Sequence, residues 1–242
     1  MASLTDVTRG RDGTTLSPAR GGDCDGSMSS PTASRAPLWR RPFSLIHENR
    51  RAYAIVTAST YGLFAIGFVI GLLVPALPAA RAATLATDGT GDLVGAVAAS
   101  APLFALVILA VNVLRLSLLT IVVPSLIVPF AGLAFFGYWL VETGITLVPS
   151  TPLTWVAMIP HSLTVLIELQ AYALVALGVL LLGRAWLRPA GVGAPNRRVG
   201  YLRGLRSLGI LSIPAFVLLV VGAVWEAYSL RYLVFPLGEM LL

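Results

Sequence analysis

The sequence lacks lysine altogether and holds few charged residues of any kind, since only 12% of its 242 residues are Asp, Glu, Lys or Arg. A water-soluble domain carries about twice that share, roughly 25%. Apolar residues make up 57% of the chain, which leaves too little polar surface to coat a water-facing protein. These proportions exclude an ordinary soluble domain and indicate a protein whose solvent is the lipid bilayer.

Cysteine is nearly absent as well, because Cys24 is the single thiol in the chain. One thiol cannot close an internal disulfide, build a zinc site or supply a redox pair. The signatures of several soluble enzyme classes are also missing, since no HExxH, GxSxG, P-loop or GxGxxG pattern occurs. We therefore expect no metal site and no cofactor, and the sequence gives no support for hydrolase or nucleotide chemistry.

The basic residues are all arginines, and they give the chain a formal charge of +6. A basic chain often binds nucleic acid, but these arginines cluster beside apolar runs, as residues that flank membrane spans do. We therefore expect the bilayer rather than a nucleic acid as a partner. An all-arginine cation set with abundant Ala and Gly is typical of a GC-rich bacterial genome, so the expected location is the bacterial cytoplasmic membrane.

Long apolar runs divide the rest of the chain, and a helix needs about 20 such residues to cross a bilayer. The sequence therefore predicts an all-α, polytopic transmembrane bundle of about five spans. The predicted spans cover residues 52–75, 97–113, 118–140, 154–182 and 208–228. Residues 1–41 show no hydrophobic period and are predicted to form a disordered cytoplasmic tail, which leaves 42–242 as the transmembrane domain.

Several finer boundaries depend on single residues. Asn112 and Arg115 interrupt the apolar pattern and are expected to end the second span. Pro124 and Pro129 are expected to kink the third span. Residues 40–51 place apolar side chains among arginines, which predicts either a short interfacial helix on anionic lipid or an unstructured basic flank.

Arginine is distributed unequally between the predicted connections. Eight arginines precede the first span, and six lie in the loop 183–206, which contains no acidic residue. The connections on the other side hold Arg81 alone against three acidic residues. The positive-inside rule therefore predicts a cytoplasmic N-terminus, a cytoplasmic loop at 183–206 and an external C-terminus.

Few polar side chains interrupt the predicted spans, and each is a functional candidate because an ionisable group in hydrocarbon is costly unless it is paired. The candidate catalytic residues are His161, Glu168 and Glu226, and the candidate binding residues are Asn112, Arg115 and Gln170. The alternative is that these groups hydrogen-bond one helix to another and hold the bundle together.

The spacing of three of these residues predicts a cluster. His161 and Glu168 are seven residues apart, which puts them on one helix face about 10 Å apart along the axis. Glu226 is expected near the outer end of the next span, at the depth of His161, where a carboxylate can orient an imidazole. Such a pair is a usable general base. Glu168 is expected deeper in the membrane, near Asn112 or Gln170.

Four segments carry motifs that belong together. FSLIHENRRAYAIVTASTYGLFAIGFVIGLLVP places an aromatic residue and an Asn-Arg-Arg junction before a Gly-spaced span. VNVLRLSLLTIVVPSLIVPFAGLAFFGYWL joins an Asn-containing helix to a Gly-containing one. IPHSLTVLIELQAYALVALGVLLLGRAWL holds a Pro-His pair followed by Glu, and VGAVWEAY places a Glu in the last apolar helix. Together they resemble the stage II sporulation protein M family of five-helix bacterial membrane proteins, over about residues 42–230.

The resemblance implies a five-helix membrane fold and makes Asn112, Pro160, His161, Glu168 and Glu226 the family's polar positions. Members of that family are linked to membrane remodelling, peptidoglycan-hydrolase complexes and peptide or transport operons, mostly through partners. The leading expectation is therefore a non-enzymatic scaffold or transporter-associated component that acts through another membrane protein or a second copy.

Two alternative functions stay open at the level of sequence. One is a membrane-embedded enzyme that modifies a peptide or lipid, with His161 and either Glu226 or Glu168 as acid and base. The other is a small transporter or channel with the same polar groups along its path. An enzyme needs these groups around a water-accessible cavity, whereas a scaffold should tolerate their replacement by Gln or Asn.

Overall fold

The computed structural model of the chain describes residues 40–87, 95–96 and 100–242, and these residues form an all-helical protein. The disordered tail predicted for residues 1–41 lies outside the described ranges up to residue 39. The helices are α1 Arg41–Glu48, α2 Arg50–Leu73, α3 Ala76–Thr87, α4 Ala101–Ala110, α5 Val123–Ile127, α6 Ala131–Thr146, α7 Pro152–Leu187, α8 Arg197–Tyr232 and α9 Val234–Leu241. A π-helical segment, Val111–Val122, joins α4 to α5, and a 3-10 turn, Pro189–Val192, precedes α8.

The all-α prediction is confirmed. Within the described ranges, four helical runs are long and apolar enough to cross a membrane: Arg50–Leu73, Ala101–Ile127, Pro152–Leu187 and Arg197–Tyr232. Large apolar side chains such as Ile55, Leu106 and Phe216 are at least half exposed on these runs. Exposed apolar surface on this scale marks a face that contacts lipid or protein rather than water.

The helix boundary expected near Arg115 lies instead at Pro129. One helical run passes through Arg115 without a break, so helices Ala101–Ile127 and Ala131–Thr146 stand where spans 97–113 and 118–140 were predicted. Val128 is extended, with φ −126° and ψ 121°, because a residue before proline is disfavoured in the helical region. Phe130 then turns the chain with a left-handed φ of 68°. Arg115 interrupts only the apolar pattern of the sequence, whereas Pro129 ends the helix.

Helices α7 and α8 form the central antiparallel hairpin, and each is 36 residues long. Their backbones meet where a glycine faces the opposite helix, in the pairs Gly178–Leu208, Leu182–Gly204 and Ala185–Gly200. A Cβ atom at Gly204 would lie 2.7 Å from the Cα of Leu182, so only glycine permits this approach. The arginine-rich end of the hairpin is therefore closed by direct backbone contact.

Helices α2 and α6 pack side by side and run in the same direction. Gly67 faces Val141, and one turn later Gly71 faces Ile145, so the contacts advance together along both helices. Gly144 of α6 in turn lies against α2. The small-residue spacing of Gly67 and Gly71 thus serves close helix packing.

Candidate functional site

The hairpin brings His161 of α7 and Glu226 of α8 together near its open end. His161 Nδ1 lies 3.5 Å from Glu226 Oε1, and the two side chains are only 17% and 16% exposed. The neighbouring residues also meet, because the Trp225 indole N–H donates a hydrogen bond of 3.0 Å to the carbonyl oxygen of Pro160. The contact predicted between His161 and Glu226 is confirmed.

Glu168 lies two turns further along α7 and meets Asn112 of the π-helical segment. The Asn112 side-chain amide donates a hydrogen bond to Glu168 Oε1. In this segment Ser117 Oγ donates a hydrogen bond of 2.9 Å to the carbonyl oxygen of Asn112, five residues back, which is one π turn away. The prediction of a partner for Glu168 at Asn112 or Gln170 is therefore resolved in favour of Asn112.

These four polar residues line one cavity of about 430 Å³, called here the polar cavity. Its other walls combine aliphatic side chains with four aromatic ones that come from several helices: Phe64, Phe104, Trp139 and Tyr172. Trp139 and Tyr172 pack edge to face with ring centroids 5.7 Å apart. The volume lies within the roughly 300–1,000 Å³ of pockets that hold small ligands.

Tyr172 is a member of this site that sequence reasoning missed. Its side chain is 1% exposed, and its hydroxyl finds no hydrogen-bond partner among the described residues. A buried hydroxyl without a partner costs free energy, so Tyr172 offers the cavity an unused donor and acceptor. The available signal was its position four residues after Glu168, which puts both side chains on one face of α7.

A second, smaller cavity of about 220 Å³ adjoins the first and is called here the side cavity. Asn112, Arg115, Trp139 and Thr143 line both cavities. The side cavity is also lined by the ion pair between Arg81 of α3 and Glu142 of α6, whose Nη2 and Oε1 atoms are 2.9 Å apart. The two cavities therefore share a wall that lies between this ion pair and Glu168.

Two of the predicted binding residues lie apart from the central cluster. Arg115 is exposed and lines the wall that the two cavities share. Gln170 faces α2 instead, where its side-chain amide donates to the Tyr53 hydroxyl, and the Tyr61 hydroxyl donates 2.9 Å to the nearby carbonyl of Leu166. Gln170 thus ties α7 to α2 and does not line the polar cavity.

Comparison with known proteins leaves the function to be argued from these groups. No protein-family model matches the sequence, and no curated protein or solved structure matches it. The resemblance to the stage II sporulation protein M family therefore stays a prediction. What the site offers chemically is two carboxylates and an imidazole that can exchange protons, with Asn112 and Tyr172 as neutral hydrogen-bonding groups.

Proposed function

We propose that the chain is a membrane transporter that binds a small organic cation, such as a protonated amine, in the polar cavity. The observation that carries this proposal is that Glu168 and Glu226 line one cavity whose walls include four aromatic side chains. Carboxylates attract an ammonium group strongly where water is scarce. Aromatic rings add a second attraction, because the face of each ring is electronegative.

The charge arrangement favours a cation over a neutral or anionic ligand. Glu226 already has His161 beside it, and Glu168 has only the neutral amide of Asn112. Arg115 also lines the cavity, but within the described residues it forms no ion pair with either carboxylate. Glu168 is therefore the carboxylate on which an incoming ammonium group gains most. His161 and Glu226 supply a neighbouring pair through which a proton can be taken up or released as the cation arrives or leaves.

We further propose five membrane crossings, with the N-terminus and the loop 183–206 on the cytoplasmic side of a bacterial membrane. The parallel packing of α2 and α6 supports this topology, because helices that run in the same direction are separated by an even number of reversals. The run Ala101–Ile127, which lies between them, supplies the one opposite crossing that this needs. Helix α6 has 16 residues and is about 24 Å long at 1.5 Å per residue, enough to cross a locally thinned bilayer.

Cysteine labelling from each side of the membrane tests this topology. Cys24 is the only natural thiol, and Ser150→Cys in a Cys24→Ser background supplies a second position between α6 and α7. Three crossings separate the two positions in a five-span protein, so an impermeant maleimide should reach Ser150→Cys from outside and Cys24 only from inside. Labelling of both from the same side would mean that α6 does not cross.

Ligand binding is tested with benzylamine, which is cationic at neutral pH, and with benzyl alcohol as its neutral counterpart. The purified protein in detergent should bind benzylamine in preference to the alcohol. Glu168→Gln keeps the side-chain shape and removes the charge, and should weaken benzylamine binding about tenfold or more. Glu239→Gln is the matched control, because Glu239 is an exposed carboxylate on α9 outside the cavity.

Transport is then measured as accumulation of labelled benzylamine in vesicles that contain the protein. Wild type and Glu239→Gln should accumulate it, and Glu168→Gln and Glu226→Gln should not. Equal binding of benzylamine and benzyl alcohol, or unchanged binding by Glu168→Gln, would overturn the cation site. Binding without accumulation would leave a receptor rather than a transporter.

A scaffold that acts through a partner protein is the second candidate. It is supported by the hairpin, since α7 and α8 are each about 54 Å long against the roughly 30 Å of the hydrocarbon core, so part of each helix extends beyond the core. The arginines of loop 183–206 are then accessible to a partner. A scaffold should retain its copurifying partner after Glu168→Gln and lose it after Arg197→Gln/Arg198→Gln. Affinity purification in mild detergent distinguishes these outcomes.

A further inference from the structure

A third cavity lies at the arginine-rich end of the bundle and is called here the arginine pocket. Its volume is about 840 Å³, and it is far along the hairpin from the polar cavity. Three arginines line it: Arg184 and Arg188 at the end of α7, and Arg203 near the start of α8. Among the described residues, Glu48 is the one acidic side chain on its lining, so these side chains carry a net positive charge.

The fold places the three guanidinium groups around one space. Arg184 and Arg188 are one turn apart on the same face of α7. The hairpin pairs Leu182 with Gly204 and Ala185 with Gly200, which sets Arg203 level with Arg184. None of the three pairs with a carboxylate in the part of the chain that the structure describes. Their charge is therefore available to a ligand.

Arg203 is also held in position before any ligand arrives. Its Nη1 donates a hydrogen bond to the carbonyl oxygen of Val192 in the turn between α7 and α8. Gly193 makes that turn possible, because it adopts a left-handed φ of 64° that favours glycine. A guanidinium group has five N–H donors, so four remain for a ligand. Pre-orientation of this kind lowers the conformational entropy that is lost on binding.

The lining of the arginine pocket also holds apolar side chains. Leu45 of α1, Phe130 of the turn before α6 and Leu181 of α7 are among them. Leu181 belongs to the last apolar turn of α7, and Arg184 follows one turn later, so a membrane-spanning α7 would place the pair at the boundary between hydrocarbon and water. A ligand that fits this lining has an anionic head and an apolar tail.

We infer that the arginine pocket binds an anionic phospholipid, with its phosphate between Arg184, Arg188 and Arg203 and an acyl chain along Leu45, Phe130 and Leu181. Arginine suits a phosphate because its planar fork matches two phosphate oxygens at once. Basic pockets between helices at a membrane surface are a known mode of lipid headgroup recognition. The inference does not depend on what the polar cavity binds.

The test uses the full chain, stripped of lipid in detergent and titrated with dioleoylphosphatidylglycerol or dioleoylphosphatidylcholine, with bound lipid counted by native mass spectrometry. Wild type should bind phosphatidylglycerol in preference to phosphatidylcholine. Arg184→Gln/Arg188→Gln should bind it about tenfold more weakly or worse, because two charged donors are lost. Arg197→Gln/Arg198→Gln removes the same charge outside the pocket and should stay within about twofold of wild type.

A second variant guards against a folding defect, since Glu48→Gln removes the acidic side chain of the pocket and should tighten phosphatidylglycerol binding. Equal losses in the two arginine double variants would overturn the inference, as would equal binding of the two lipids by wild type. Competition with soluble glycerol 1-phosphate distinguishes a lipid headgroup from a soluble phosphate ester as the ligand of the pocket. If the soluble ester displaces phosphatidylglycerol completely at equal concentration, the pocket serves a soluble phosphate ester and the lipid assignment fails.

Discussion

The two ends of the α7–α8 hairpin are built from the same pair of helices but differ in what fills the space between them. At the arginine-rich end, glycines let the two backbones touch, and Leu182 and Leu211 are fully buried between them. At the other end, His161, Glu168 and Glu226 stand between the helices and a cavity opens beside them. Between α7 and α8 themselves, the first end is closed and the arginine pocket lies beside it, whereas at the second end polar side chains occupy the space between the helices.

Glycine serves a different purpose at each end. At Gly200 the missing Cβ makes room for the carbonyl oxygen of Ala185, which belongs to a rigid backbone. At Gly222 it makes room for the Glu168 side chain, whose Cγ lies 3.3 Å from the place a Cβ would take. A small residue in a membrane helix thus marks a close approach of another group. Where that group is backbone, the contact stabilises the helix pair; where it is a polar side chain, the glycine leaves room for a site.

The largest change in stability is expected for Gly200→Ala, at the closed end of the hairpin. The substitution forces a methyl group against the Ala185 backbone, so the free energy of unfolding should fall by about 1–3 kcal/mol. The measurement is unfolding by sodium dodecyl sulfate in mixed micelles. Gly209→Ala, on the same helix, meets nothing within 4 Å and should raise stability by roughly 0.5–1 kcal/mol.

If glycines close the hairpin, the two substitutions should change the free energy of unfolding in opposite directions. A destabilisation of similar size at both positions would mean that helix propensity and backbone contact are not the controlling terms. In that case the hairpin would not be closed by its glycines.

An intermediate effect is expected at Gly222. Gly222→Ala meets a flexible methylene rather than backbone, so the side chain of Glu168 can shift and the loss of stability should stay below about 1 kcal/mol. Benzylamine binding should nevertheless weaken, because the carboxylate is displaced within the polar cavity. A loss of stability as large as that of Gly200→Ala, with unchanged binding, would contradict the assigned difference between the two ends.

The smallest effect is expected at His161. His161→Gln keeps a hydrogen-bonding group beside Glu226, and interhelical hydrogen bonds in bilayers average only about 0.6 kcal/mol, so the thermal midpoint should fall slightly. The fold should be unchanged by circular dichroism. Accumulation of benzylamine in vesicles should fall, because Gln cannot carry the proton. Retained accumulation would assign His161 to helix pairing alone.

Much of the polar cluster could be predicted from the sequence. Helical periodicity put His161 and Glu168 on one face, and the reversal of direction between α7 and α8 put Glu226 at the depth of His161. Both inferences need only the geometry of straight helices. Tyr172 was missed because a tyrosine in an apolar run looks like a packed core residue until its hydroxyl is seen without a partner.

The helix break at Pro129 and the arginine pocket could not be predicted from the pattern of apolar residues. The break at Pro129 was placed too early because a charged side chain was given more weight than the backbone restriction before proline. The arginine pocket draws on α1, the turn at Phe130, α7 and α8, which lie far apart in the chain. Contacts of that kind follow from packing and not from spacing.

The position of Asn112 depends on how many residues the π-helical segment contains. In α-helical geometry each residue advances the helix by about 100°, whereas a π turn holds more residues per revolution. Deleting one residue between Asn112 and the break at Pro129 would let part of Val111–Val122 return to α-helical geometry. The side chains before the deletion would then rotate by up to about 100° relative to those after it, and Asn112 would turn away from Glu168. For this helix, the length of the segment is as much a part of the site as the identity of its residues.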